Sequence, residues 1–214
     1  MLRFSLLGIP ITIEWMFWAI GALFGLPFFQ AGGRAGTFGA LIWMTVWFVS
    51  FIIHEMGHAL AYRKFGGHNT RIHLYGFGGY ASSQGYFSRK ESILISAAGP
   101  GVEIAFGCVA LLLRRSELTA SWNPYFLMFL GLFSYICLFW GFINLLPVLP
   151  LDGGRITDAA LGRGITTTAK IGCIAGGITA LVFVSMGNLF AGVFFGFLAF
   201  QNYQITQGGP SQIR

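Results

Sequence analysis

Charged residues are scarce in this sequence, at 9% of 214 residues, while hydrophobic residues make up 55%. Soluble domains carry about 25% charged residues, and a soluble protein of this length could not cover its surface with so few charges. Lipid, in contrast, solvates apolar surfaces directly. The composition therefore excludes an ordinary soluble domain and predicts one compact integral membrane domain surrounded by a lipid bilayer.

Cysteines are also few. The three cysteines lie in apolar runs and none belongs to a CxxC pair, so we interpret them as small core residues. Basic residues exceed acidic residues and give a net charge of +6, but they lie in short loops and form no single patch. This distribution is typical of residues that set membrane orientation, and it predicts no nucleic-acid partner.

Long apolar runs account for most of the chain. A helix needs about 20 residues to cross a bilayer. Six apolar segments stand out, at approximately residues 15–30, 38–62, 91–113, 123–147, 168–186 and 188–205. The pattern predicts an all-α polytopic membrane protein with about six transmembrane helices. The last two segments meet at Met186-Gly187-Asn188, which predicts a C-terminal helical hairpin over about 168–205.

The basic residues also predict an orientation. With the N-terminus inside and six spans threaded, ten basic residues fall on the inner side, the last of them Arg214. Only Arg34, Arg114 and Arg115 fall on the outer side. Because cytoplasmic loops carry an excess of Lys and Arg, this bias predicts cytoplasmic N- and C-termini.

Two segments do not have helical patterns. Residues 4–13, FSLLGIPITI, read as a short strand or an interfacial segment. Residues 71–87 alternate loosely and are rich in glycine, which predicts a small membrane-associated β-hairpin or loop at the cytoplasmic interface. An open strand edge cannot face lipid unpaired. The 71–87 segment must therefore pair internally, lie in an aqueous pocket or accept a partner.

The second apolar segment contains the motif HEMGH. His54 and His58 are four residues apart, so on a helix both imidazoles leave the same face and can reach one zinc ion. Glu55 follows His54 and can act as the general base toward a metal-activated water, as in metalloproteases. The alternative is a polar cluster that pairs neighbouring helices. Ionisable groups inside a membrane are costly, however, and usually functional.

A catalytic zinc site needs a third protein ligand. Glu103, inside the third span, and Asp152, just after the fourth, are the candidates. Asp152 lies in NLLPVLPLDGGR, residues 144–155, where two prolines break the helix and two glycines allow a turn after the aspartate. A carboxylate on broken helix at membrane depth must face protein or water, as a metal ligand would.

The pairing of HEMGH with NLLPVLPLDGGR resembles the site-2 protease family of intramembrane zinc metalloproteases. FSLLGIPITIEWMFWA is similar to the start of the first span in compact members, and FGGYA is similar to their glycine-rich membrane-associated strand. The resemblance implies one transmembrane metalloprotease domain over residues 1–214. It implies a three-helix catalytic core in spans two to four, at about 38–155.

The resemblance also implies roles for single residues. His54, His58 and Asp152 would bind one Zn²⁺ per chain, and Glu55 would be the catalytic base. Asn144 matches a family asparagine near the metal that helps bind the substrate carbonyl. Gly78 and Gly79 lie in the segment that is similar to the family's glycine-rich strand, and we predict that they bind the substrate.

One position departs from the family pattern. Members often carry Gly-Pro-x-x-Asn in the third span, whereas this chain has GPGVE at residues 99–103. We favour a structural role for Glu103, with competition for the metal as the alternative. We interpret His68 and His73 as surface histidines, and an accessory or inhibitory contact near the zinc is the alternative for both.

The sequence therefore predicts an intramembrane zinc metalloprotease that cleaves membrane-anchored proteins or leftover signal peptides in or near their transmembrane segments. Its active site would face the cytoplasmic side, because Arg63 follows His54 by nine residues, or about 14 Å of helix. A short single-domain chain is typical of prokaryotic proteins, which predicts location in a prokaryotic cell membrane. The sequence does not specify an oligomeric state. The alternatives are a non-catalytic metal-binding protein that escorts membrane clients and a metal transporter.

Overall fold

The computed structural model describes residues 1–76, 78–119 and 121–208. Phe77 of the predicted strand segment and Arg214 of the inward basic set lie outside the described residues. The strands are β1 (Leu2–Leu6), β2 (Ile9–Ile13), β3 (His68–Tyr75) and β4 (Gly78–Gln84). The helices are α1 (Trp15–Phe24), α2 (Leu26–Gln30), α3 (Gly33–Lys64), α4 (Arg89–Arg115), α5 (Pro124–Asn144), α6 (Asp152–Leu161), α7 (Ile165–Ser185) and α8 (Leu189–Thr206).

The all-α membrane architecture with a small sheet is confirmed, but six transmembrane helices are not. Within the described ranges, four helices are long and apolar enough to cross a membrane: α3, α4, α5 and α7. The first predicted span is divided at Gly25 into α1 and α2, and Pro27 lies in the first turn of α2. Proline cannot donate the backbone hydrogen bond that would continue α1. The last predicted span corresponds to α8.

The divided helix nevertheless runs along α3. A Cβ on Gly21 would lie 2.7 Å from the Trp47 ring, and one on Gly25 would meet the Trp43 ring. The Trp43 indole also donates a 2.8 Å hydrogen bond to the Gly21 carbonyl. The Gly21/Gly25 spacing therefore lets two tryptophans of α3 lie directly against α1, as small residues do between membrane helices.

The four strands form one sheet in the order β1-β2-β3-β4. β1 and β2 are antiparallel, β2 and β3 are parallel, and β3 and β4 are antiparallel. The predicted 71–87 hairpin is thus present as β3 and β4, and residues 4–13 supply most of β1 and β2. One apolar face of the sheet packs on α1 and α3, through Ile9, Ile11, Ile13, Ile72 and Leu74.

The backbone contacts divide the chain into two compact units. The first comprises Met1–Tyr86 and Ala98–Gly141, and the second comprises Phe87–Ala97 and the chain from Phe142 onward. In the first unit, α5 packs on α3 around Val46, Phe133 and Cys137.

In the second unit, α7 and α8 form a close antiparallel pair. A Cβ on Gly176 would touch Ala199, and one on Gly192 would meet Val184. The short helix α6 precedes this pair, and the sequence patterns did not predict it.

Candidate metal centre

The HEMGH motif lies in the second half of α3, where its polar side chains are buried. His54 is 5% exposed, Glu55 4% and His58 7%. The Nε2 atoms of His54 and His58 are 3.1 Å apart. Two nitrogens that each lie about 2.0–2.1 Å from one tetrahedral zinc ion would be about 3.3 Å apart. The predicted one-turn spacing therefore places both nitrogens where a single zinc ion would hold them.

Glu103 determines how the first imidazole is held. Its Oε2 atom lies 2.7 Å from Nδ1 of His54, and the glutamate is fully buried. With Glu103 ionised, its carboxylate only accepts hydrogen bonds, and in that state Nδ1 carries the proton and the lone pair of Nε2 faces the second histidine. This carboxylate–histidine contact is the usual partner of a metal-bound imidazole. The structural role favoured for Glu103 agrees with this geometry.

Two glycines let α3 and α4 approach closely enough for this contact. A Cβ on Gly57 would lie 2.6 Å from the Ala98 carbonyl oxygen, and a Cβ on Gly99 would meet the His58 imidazole. Neither position has room for a side chain. Gly57 is an unspecified position of the H-E-x-x-H pattern, so the motif itself gave no signal of this packing.

Asp152 is the first residue of α6 and is 7% exposed. The helix dipole stabilises negative charge at this end. The following glycines have a different role from the predicted one. They lie within α6, and neither has a positive φ. A Cβ on Gly153 would meet the Leu145 carbonyl, and one on Gly154 would lie 2.7 Å from the Leu149 nitrogen. The helix therefore starts against the preceding backbone because these residues lack side chains.

His54, His58 and Asp152 form a buried group that could hold a metal ion. One ligand atom from each lies within 4.8 Å of the others. Two imidazole nitrogens and one carboxylate oxygen are a donor set that zinc accepts in catalytic sites, where the fourth position stays open for water or substrate. The chemistry of this group and the spacing of its nitrogens therefore fit zinc.

The remaining predicted site residues lie on two elements. Asn144 is the last residue of α5 and is half-buried. Gly78 and Gly79 begin β4. A Cβ on Gly79 would lie 3.2 Å from Cγ of Glu55, whereas one on Gly78 would find only ordinary contact with Phe51 at 3.9 Å. The structure thus brings Gly79, but not Gly78, directly beside the glutamate of the motif.

The two loop histidines lie on β3. His68 is exposed, as predicted. His73 is half-buried, forms a 2.8 Å hydrogen bond with Glu14 and stacks on Tyr80. Neither belongs to the metal-binding group found in the described part of the chain. The exposure of His68 agrees with its interpretation as a surface residue, whereas His73 is half-buried against Glu14 and Tyr80.

Comparison with known proteins identifies the family. The model of the family described as Peptidase M50B-like matches residues 35–153, more than half of the chain. A zinc metalloprotease of Methanocaldococcus jannaschii is 30% identical over 189 residues, which cover 87% of this chain. Stage IV sporulation protein FB of Bacillus subtilis is 34% identical over 107 residues, or 49% of this chain. The chain spans 53% of the first relative's length and 35% of the second's.

A solved structure agrees with the sequence comparisons. The site-2 protease from Methanocaldococcus jannaschii has a TM-score of 0.65 and 26% sequence identity, with 96% of this chain and 94% of that chain covered. The relatives that carry the zinc metalloprotease name imply zinc for the buried histidine and aspartate group. The sequence match, the shared fold and this group lead to the same conclusion: the chain belongs to the Peptidase M50B-like family and is of the site-2 protease type.

Proposed function

We propose that this protein is an intramembrane zinc metalloprotease that hydrolyses peptide bonds in or near the transmembrane segments of membrane-anchored proteins or signal peptides. The observation that carries the proposal is the buried group of His54, His58 and Asp152, whose ligand atoms lie within 4.8 Å of one another. Glu55 is also buried, and it lies on α3 between the two histidines of the motif.

The three ligands would hold one zinc ion per chain. When bound, zinc polarises a carbonyl and lowers the pKa of water toward 7. Glu55 accepts the proton of the attacking water on its carboxylate and later donates it to the nitrogen of the leaving amine, as a general base and then a general acid. The carboxylate of Glu103 holds the Nδ1 proton of His54 throughout, so that Nε2 of the same ring keeps its orientation.

The open edge of β4 offers a place for the substrate backbone. In the described sheet, β4 pairs only with β3, so its other edge has backbone groups available for a further strand. A helical substrate must unwind before its carbonyl becomes accessible, and an unwound segment can add to a sheet edge. Gly79 brings this strand against Cγ of Glu55. We assign Gly78 and Gly79 to substrate alignment, and Asn144 to binding of the substrate carbonyl.

The active site faces the cytoplasmic side in this proposal. Helix α3 ends with Arg63 and Lys64, and β3 follows directly. Arg63 also donates a 2.7 Å hydrogen bond to the Leu7 carbonyl in the β1–β2 turn. The basic end of α3 and the N-terminal strands therefore lie together, which supports placing both on the side where positive charge accumulates.

Cleavage of a model single-span substrate by the detergent-purified protein tests this function, with bound zinc measured in parallel. The wild type is expected to cleave, while Glu55→Gln retains zinc and loses activity, because the amide cannot accept the proton. Removal of one catalytic base typically lowers the rate by about 10²–10⁴-fold. Equal cleavage by both proteins would refute the role of Glu55. Zinc in both with cleavage of no substrate in a transmembrane library would favour the non-catalytic metal-binding alternative.

A further inference from the structure

Asn202 of α8 is a fully buried amide, and two of its three hydrogen bonds leave its own helix to reach Leu149. Its Nδ2 group donates to the carbonyl oxygens of Leu149 and Leu198, at 2.7 and 2.8 Å. Its Oδ1 atom accepts the Leu149 backbone N–H at 3.3 Å. Both amide hydrogens and the amide oxygen are therefore used, and one side chain holds both backbone polar groups of Leu149.

Leu149 belongs to the irregular segment between α5 and α6, three residues before Asp152. The backbone of this segment contacts the start of α6 directly, because a Cβ on Gly154 would lie 2.7 Å from the Leu149 nitrogen. A shift of Leu149 cannot be absorbed in empty space between the segment and the helix. Such a shift moves the first turn of α6, which carries the Asp152 carboxylate.

Helix α7 restricts Asn202 from another direction. A Cβ on Gly172 would meet Oδ1 of Asn202 and would lie 3.3 Å from the Pro147 carbonyl. The amide thus fits between α7 and the irregular segment only because residue 172 has no side chain. Gly177, on the same helix, has nothing within 4 Å of the position that a Cβ would occupy, so this lack of space is local.

We infer that Asn202 is a positioning residue that holds the Leu149 backbone and thereby aims the Asp152 carboxylate at the metal. The inference rests on the proposed function and extends it to α7 and α8, which lie outside the family match at residues 35–153. Buried polar groups that orient a metal ligand typically change metal affinity or activity by about 10–100-fold when removed. A residue that only stabilises the helical pair would not affect zinc affinity in protein that remains folded.

The first test measures zinc affinity by competition with a chelator, on detergent-purified wild type and Asn202→Leu. Leucine has a similar size but leaves both polar groups of Leu149 without their partner. We expect zinc affinity to fall about 10-fold or more. Thr179→Val is the matched control, because Thr179 lies on α7 in the same unit and donates its 2.8 Å hydrogen bond within that helix, to the Ala175 carbonyl. Thr179→Val should bind zinc as the wild type does.

The second test leaves Asn202 in place. Gly172→Ala should displace the amide and weaken zinc binding as Asn202→Leu does, while Gly177→Ala on the same helix should bind zinc as the wild type does. Combining Gly172→Ala with Asn202→Leu should add little to either single change, because both act through the same contact. If Asn202→Leu does not fold, Gly172→Ala decides the question.

The outcomes separate this inference from the proposed function. Wild-type protein without zinc would refute the metalloprotease proposal and the inference with it. Zinc affinity of folded Asn202→Leu and Gly172→Ala equal to that of a zinc-binding wild type would refute the inference alone. Weaker zinc binding in these two variants, with both controls unchanged, would establish the positioning role.

Discussion

Replacement of Glu103 provides the most direct test of the metal centre. The carboxylate of Glu103 lies 2.7 Å from Nδ1 of His54 and is fully buried. Hydrogen bonds to a charged group contribute about 1.5–3 kcal/mol, and neutral ones about 0.5–1.5 kcal/mol. Glu103→Gln keeps the shape and an acceptor but removes the charge, so it should cost about 1 kcal/mol. That cost corresponds to about a 5-fold loss of zinc affinity.

Glu103→Leu removes the acceptor entirely. It leaves the Nδ1 proton of His54 buried without this partner, at a cost of about 1–3 kcal/mol. The expected loss of zinc affinity is therefore about 5- to 150-fold, a range that includes the 10–100-fold typical of outer-sphere metal partners. The order of affinity should be wild type, then Glu103→Gln, then Glu103→Leu.

Competition with a chelator measures these affinities in detergent, and Tm without zinc reports whether each variant is folded. Glu117→Gln removes an exposed carboxylate elsewhere in the same unit and should bind zinc as the wild type does. Unchanged zinc affinity in Glu103→Leu would refute the orienting role. Tighter zinc binding in that variant would instead support the interpretation in which Glu103 competes for the metal.

Three further predictions concern close contacts near the site. Gly99→Ala should abolish zinc binding, because its Cβ would overlap the imidazole of His58. Gly101→Ala is the control and should bind zinc normally, because no atom lies within 4 Å of the position that its Cβ would occupy. Equal zinc content in the two variants would contradict this packing. Gly79→Ala should lower kcat/KM and retain zinc, because its Cβ would lie 2.5 Å from the Leu74 side chain and 3.2 Å from Cγ of Glu55, the proposed base, and Gly78→Ala should have a smaller effect. Single proline substitutions along β4 should abolish cleavage and retain zinc at the alternate positions whose backbone N–H points to the open edge of the sheet. Full activity at every position would exclude strand addition by the substrate.

Local patterns were sufficient for the part of the site that lies within one helix. The one-turn spacing of His54 and His58 follows from helix geometry alone, and the 3.1 Å between their Nε2 atoms agrees with it. The scarcity of charge likewise predicts the membrane class, because it depends on composition and not on contacts. The 71–87 segment was likewise recognisable as non-helical from its composition, because it is rich in glycine.

The number of spans was not predictable to the same degree. Hydropathy treats residues 15–30 as one apolar run, but the chain divides it into α1 and α2. The packing of two α3 tryptophans against Gly21 and Gly25 keeps this divided helix in place. Such contacts join residues that are far apart in the sequence, so a local hydropathy profile does not detect them.

The sequence by itself determined the membrane class and the HEMGH motif with the glutamate that we propose as the base, because these depend on composition and on spacing within a helix. Only the tertiary structure decided what holds the ligands. Glu103 meets His54 across 49 residues of chain, and Asn202 meets Leu149 across 53. Both contacts exist because glycines without side chains let backbones approach closely, at Gly57 and Gly99 in one case and at Gly172 in the other. Whether two distant residues meet depends on such packing, which no local sequence pattern records.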